Sequence, residues 1–217
     1  MAGYTCYLGL PRAALVEILN ESGCFLLMQA LWHQRGGAWL GTHERDRNQL
    51  ALMAEEFDLT DDGSVLVDRY ARLLSTLDER YPQTRKLCAH VKWAHDLLQA
   101  ALAHYFRSQG ITAAAGLARA AVHGEVAGEG IGELVCLSEA TVLRIGRGLC
   151  GANPRCLLAA LPTLGDQDSL RELGASQSER RECLSALAND CEVRHELEDL
   201  VVMYSRASEL SHLVLIG

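Results

Sequence analysis

The stretch Gly128–Arg147, GEGIGELVCLSEATVLRIGR, decides how this chain is read. Ile131, Val135, Leu137, Val142 and Ile145 recur in it where two short helices would each turn an apolar side inward. Gly132 is small enough to sit where such helices cross. Cys136 falls at the turn, a place that usually goes to glycine because tight turns use left-handed backbone. Ser138 is a candidate N-cap for the second helix, since its hydroxyl can accept from the Thr141 amide. Val142 and Ile145 then face inward, while Glu139, Ala140, Leu143, Arg144 and Arg147 face outward.

Two short helices meeting steeply at a small residue form a helix-turn-helix, and this window resembles that motif in bacterial and phage repressors. The resemblance covers these twenty residues and no more. It implies that the second helix, Ser138–Gly148, enters the major groove of double-stranded DNA. Arg144 and Arg147 would then meet phosphate or guanine, with Ser138, Glu139 and Thr141 completing the DNA-facing set. The run Leu137–Pro154 is also similar to part of the flagellar master-regulator C subunit, although the cysteine zinc cluster that follows in that family is missing from this sequence. The same letters equally describe a helix pair that only helps to hold a helical protein together.

Composition sets the outer bounds. The chain has 217 residues, of which 49% are hydrophobic and only 4 are proline, so it can bury a sizeable core in one large or two small domains. No apolar run approaches the roughly 18 residues of a membrane span, and the N-terminus lacks a basic start followed by a long apolar run. A soluble, intracellular protein of the cytoplasm or the nucleoid or nucleus is expected, with no membrane partner. The net charge of −8 is unevenly placed: −2 over residues 1–110, zero over 111–160 and −6 over 161–217. The candidate DNA-reading stretch is therefore neutral, which argues against binding driven by bulk positive charge. The eight cysteines contain no C-x-x-C pair and mostly sit among apolar residues, so they are expected to be small buried hydrophobes rather than disulfide partners.

Along the chain, helical spacing dominates. One or two helices are expected over Pro11–Arg35, one after Thr42, and one from Ser64 to Tyr81 following the Asp61-Asp62-Gly63 turn. A long helix is expected from Pro82 to Gln109, closed by Gly110. Ile111–His123 would precede the helix pair. Asn153-Pro154 caps and opens a short helix to Leu161, and Ser176-x-x-Glu179 is a capping box for a helix to Ala188. Cys191–Ile216 reads as a closing helix. No period-two strand stands out. The expected fold is all-α: a multi-helix bundle with an embedded helix-turn-helix-like pair. Its regions are 1–110, 111–161 and an acidic 162–217, forming one compact unit.

Other constellations fall short of a site. Gly146-x-Gly148-x-x-Gly151 has dinucleotide-loop spacing but lacks a strand before it. Asp58-x-x-x-Asp62-Gly63 begins like a calcium loop, yet Arg69 stands where its last carboxylate belongs. His43-Glu44 lacks the second histidine of a zinc protease. Cys88 with His90, His95 or His104 would make a nucleophile–base pair only if something oriented them. The expectation is a non-enzymatic protein with no cofactor and no metal, serving as a helix-turn-helix DNA-binding regulator. The alternative is a helical protein-interaction protein: an adaptor, a chaperone, or a structural subunit of a larger or viral assembly. Its long helix faces would pair with a second copy or another protein.

Overall fold

A computed structural model describes residues 5–21, 24, 63–83, 87–92, 94–124, 128–131, 134–164 and 176–217. In chain order these form strand β1 (Thr5–Leu10), helices α1 (Arg12–Asn20) and α2 (Gly63–Arg80), strand β2 (Cys88–Val91), and helices α3 (His95–Ser108) and α4 (Ala114–His123). Strands β3 (Gly128–Ile131) and β4 (Leu134–Leu137) follow, then helices α5 (Glu139–Gly148) and α6 (Pro154–Ala159) and a 3₁₀ turn, Leu161–Leu164. Helices α7 (Gln177–Ala188) and α8 (Cys191–Glu209) lead into strand β5 (Leu213–Ile216). The helix expected after Thr42, and the His43-Glu44 and Asp58–Asp62 motifs, lie outside the described residues.

The all-α expectation is overturned. Five strands make one antiparallel sheet in the order β2-β1-β5-β4-β3. The helix pair is not formed either, because the first half of its window is the β3–β4 hairpin, in which Gly128 pairs with Leu137 and Ile131 with Leu134. Three glycines at 128, 130 and 132 explain the preference: each costs about 1 kcal/mol relative to alanine inside a helix. Two more helices are shorter than their apolar spacing predicts. The stripe from Pro82 contains β2 before α3 begins, and the closing helix stops at Glu209 so that Leu213–Ile216 can run as β5.

Helices cover the sheet on both sides. Tyr7, Ala89, Val91, Leu137, Val214 and Ile216 point into one core with α3, α4, α5 and α8. Cys6, Leu8, Leu10, Leu134, Leu213 and Leu215 point into the other with α1 and α2. Alternate residues of a strand serve opposite faces, so a strand covered on both faces is apolar throughout and shows no period of two. That is why TCYLGL and LVLI do not announce themselves as strands. The sheet also unites distant segments: β1 lies between β2 and β5, pairing Tyr7 with both Ala89 and Ile216.

Two buried tyrosines tie α4 to the centre. Tyr7 donates its hydroxyl to the Val122 carbonyl at 2.5 Å, and Tyr204 donates to the Ala121 carbonyl at 2.8 Å. Both acceptors lie in the last turn of α4, where the helix itself supplies no donor. Lys92 N–H and Glu196 make a similar closure at 3.0 Å beside the start of α3. Among the described residues no helix is long and apolar enough to cross a membrane.

All eight cysteines are free thiols, which fits the absence of a disulfide framework. The expectation that they are buried holds only for Cys6 and Cys24. Cys88, Cys150, Cys156 and Cys191 are exposed, because each falls on the outer side of its element or in a turn.

Candidate interaction site

Helix α5 is the part of the original window that folds as read. Ser138 is its N-cap, with extended backbone and a hydroxyl that accepts from Thr141 N–H at 3.3 Å. Val142, Ile145, Gly146 and Gly148 are buried, and α5 lies mainly on α8. Gly146 sits at the crossing: a Cβ there would collide with the Ser208 side chain and stand 3.0 Å from the Tyr204 carbonyl oxygen. Gly148 presses on Phe106 and Ile111, where a Cβ would come within 2.8 Å of the phenyl ring. The glycines of the Gly146–Gly151 pattern thus serve close helix packing and a turn, and the element before them is helix α5, not a strand.

Beyond the end of α5 stands the turn between α3 and α4. Ile111 N–H bonds the Phe106 carbonyl and Gly110 N–H bonds the Arg107 carbonyl, both at 2.9 Å. This is a Schellman end, and it needs the left-handed φ of +72° that Gly110 adopts. Helix α4 then follows Ala113, an N-cap with no side-chain bond, and has no acidic residue in its first turn.

The five residues read as DNA-facing part company here. Glu139 is turned toward α1, where the Arg12 guanidinium grips it with two parallel bonds, Nε to Oε1 at 2.8 Å and Nη2 to Oε2 at 2.7 Å. Those bonds from Arg12 hold the Glu139 carboxyl down at about 2, against a smaller opposing effect of burial. Ser138 and Thr141 are half-exposed and face each other, their hydroxyl oxygens 3.2 Å apart. Arg144 and Arg147 remain: both are exposed, and neither has a hydrogen-bond or ion-pair partner among the described residues. Leu143 beside them is half-buried and Ala140 is exposed, so the outward side of α5 is not covered by the acidic C-terminal helices.

Arg144 and Arg147 share one wall of an open cleft of ≈ 450 Å³. The opposite side is the Gln109–Thr112 turn, with Leu117 at the base and Cys150 at the rim. Among the described residues the lining holds two guanidinium groups and no carboxylate, although the whole chain is acidic. Sequence reading found the two arginines but not the turn they face, since nothing local links residues 109–112 to 144–147.

A polar cluster missed by the sequence lies where β1, α3 and α4 meet. His95 Nε2 is 2.8 Å from Thr5 Oγ1, and its ring lies 5.9 Å from that of His123. His123 Nε2 stands 3.9 Å from Asp96 Oδ1. Burial, and secondarily the neighbouring His123, lower the His95 pKa. His95 is thus engaged with Thr5, whereas the pairing considered from sequence was with Cys88. Among the described residues no three His, Cys, Asp or Glu side chains converge as a metal site. No family model, curated protein or solved structure matches the chain.

Proposed function

We propose that this protein works by binding rather than by catalysis, and that its partner is another protein docked on the outward side of α5. One observation carries the reading: Arg144 and Arg147 line a cleft instead of crowning a ridge. A recognition helix must protrude to enter the major groove, and α5 is flanked by the α3–α4 turn at one end and tied to Arg12 at the other. A concave wall with two cations suits side chains of a partner.

Duplex DNA is the second reading, favoured by the two unpaired arginines on one exposed helix side. The magnitudes weigh against it. Two cations displace about two counterions, giving a log–log salt slope of about −1.8 and only about a tenfold fall in affinity between 50 and 200 mM salt. The chain around them carries a net charge of −8, which repels a polyanion at long range.

The test is a photo-crosslinking residue placed at Ala140, which is exposed on α5, in cells that make the protein, beside a salt series with random duplex DNA in vitro. Protein adducts lost in Arg144→Ala, with no DNA binding above that of the same variant, are expected. Nuclease-sensitive adducts, or steep salt-dependent DNA binding that Arg144→Ala abolishes, would overturn the reading.

A further inference from the structure

We infer that the cleft between α5 and the α3–α4 turn is a receptor for paired carboxylates, and that its occupant is an acidic peptide segment of the partner. This rests on the docking reading above and names the chemistry of the segment docked.

The spacing comes first. Arg144 and Arg147 are one helical turn apart, so their Cβ atoms lie about 5–6 Å from each other. Two acidic side chains have the same separation when three or four residues apart on a helix, and nearly the same when two apart on an extended strand. Each guanidinium offers a planar fork that matches one carboxylate, as Arg12 already does with Glu139 in this molecule.

Charge is the second point. Arg12 and Arg80 of this chain are matched by Glu139 and Glu17 at 2.7 Å. Among the described residues Arg144 and Arg147 are left unmatched and no acid lines their cleft. A carboxylate from outside therefore meets two cations and, among the described residues, no anion.

Shape is the third. A volume of ≈ 450 Å³ lies within the range of about 300–1,000 Å³ typical of concave sites that take a few chemical groups, and is far too small for a duplex. Half-buried Ile111 and buried Leu117 give the cleft an aliphatic side, so a segment with an aliphatic residue beside its acids gains contact that a free anion lacks. Thr112 and Gln109 add neutral hydrogen-bonding groups at the rim.

The experiment uses the full chain and a short fluorescent peptide of glutamates interspersed with leucines. Its controls are the same peptide with glutamine for every glutamate, and duplex DNA. Binding is read by anisotropy. It is read independently by alkylation of Cys150, which lines the cleft, against Cys156, which is exposed but does not. The acidic peptide is expected to bind and to slow alkylation of Cys150 but not of Cys156. Arg144→Ala, Arg147→Ala and the glutamine peptide should each lower affinity about tenfold or more, the value of one charge-assisted hydrogen bond. The Arg144→Glu/Arg147→Glu variant should reject the acidic peptide and accept one with lysine in place of glutamate. A merely unfolded variant would do neither.

Equal binding of the glutamate and glutamine peptides, or no protection of Cys150, overturns the inference. If protein adducts from Ala140 persist in that case, docking stands and only the carboxylate chemistry fails. Duplex DNA protecting Cys150 where the peptide does not would overturn both.

Discussion

Replacing Gly146 by alanine tests the packing that presents the arginine face. In an exposed helix this change would gain about 1 kcal/mol from helix propensity alone. Here the added methyl group has no room. It would run into the Ser208 side chain, whose Cβ is fixed to the α8 backbone and cannot rotate away, and it would stand 3.0 Å from the Tyr204 carbonyl oxygen. Helices α5 and α8 must therefore separate, loosening the contacts around Val142, Ile145 and Tyr204, all of which are buried. Overpacking of this kind costs about 1–3 kcal/mol. Set against the propensity gain, the net expected loss is up to about 2 kcal/mol, or up to about 8 °C in Tm for a chain of this size. Urea denaturation followed by circular dichroism measures it. The companion Ser208→Gly removes the colliding side chain, so the double variant should be more stable than the two single losses predict, a coupling expected between touching residues. A Gly146→Ala variant more stable than the parent, or strictly additive with Ser208→Gly, would refute the crossing and with it the placement of Arg144 and Arg147.

Tyr204→Phe leaves the Ala121 carbonyl without its donor in a buried site, and should lower unfolding free energy by about 1–3 kcal/mol with no change in helical signal. Acid should also weaken the fold through His95. Its pKa is lowered below 6.5, by burial first and His123 second, so the unfolded chain takes up the proton more readily than the folded one. Stability is then undiminished above about pH 6.5 and declines as pH falls below it. His95→Gln, which still reaches Thr5 but cannot titrate, should flatten the decline in denaturation midpoint, and an unchanged profile would exclude His95 as the source. His212, also lowered by burial, adds to the same decline, and Glu139, held down by Arg12, adds to it below about pH 4.5.

What the sequence by itself determined is local. The Ser138 cap, the Asn153-Pro154 start, the Ser176–Glu179 capping box and the helix end at Gly110 all follow from groups within one turn of each other, and each is formed. So does the division of α5 into a buried side through Val142 and Ile145 and an exposed side through Arg144 and Arg147. Tertiary structure decided the sheet. Leu213–Ile216 and Leu134–Leu137 are apolar runs too short and too uniform to separate strand from buried helix, and only their partners across the chain settle the matter. The same holds for Gly128–Ile131, where apolar spacing suggested a helix and pairing with β4 made a strand. It also decided what the outward residues of α5 face: Arg12 reaches Glu139 from the other side of the sheet, and the Gln109–Thr112 turn meets Arg144 and Arg147 from a different helix pair. Caps and helix faces are encoded by neighbours in sequence. Strand pairing and clefts depend on which distant surfaces are buried together, and that is fixed only when the whole chain packs.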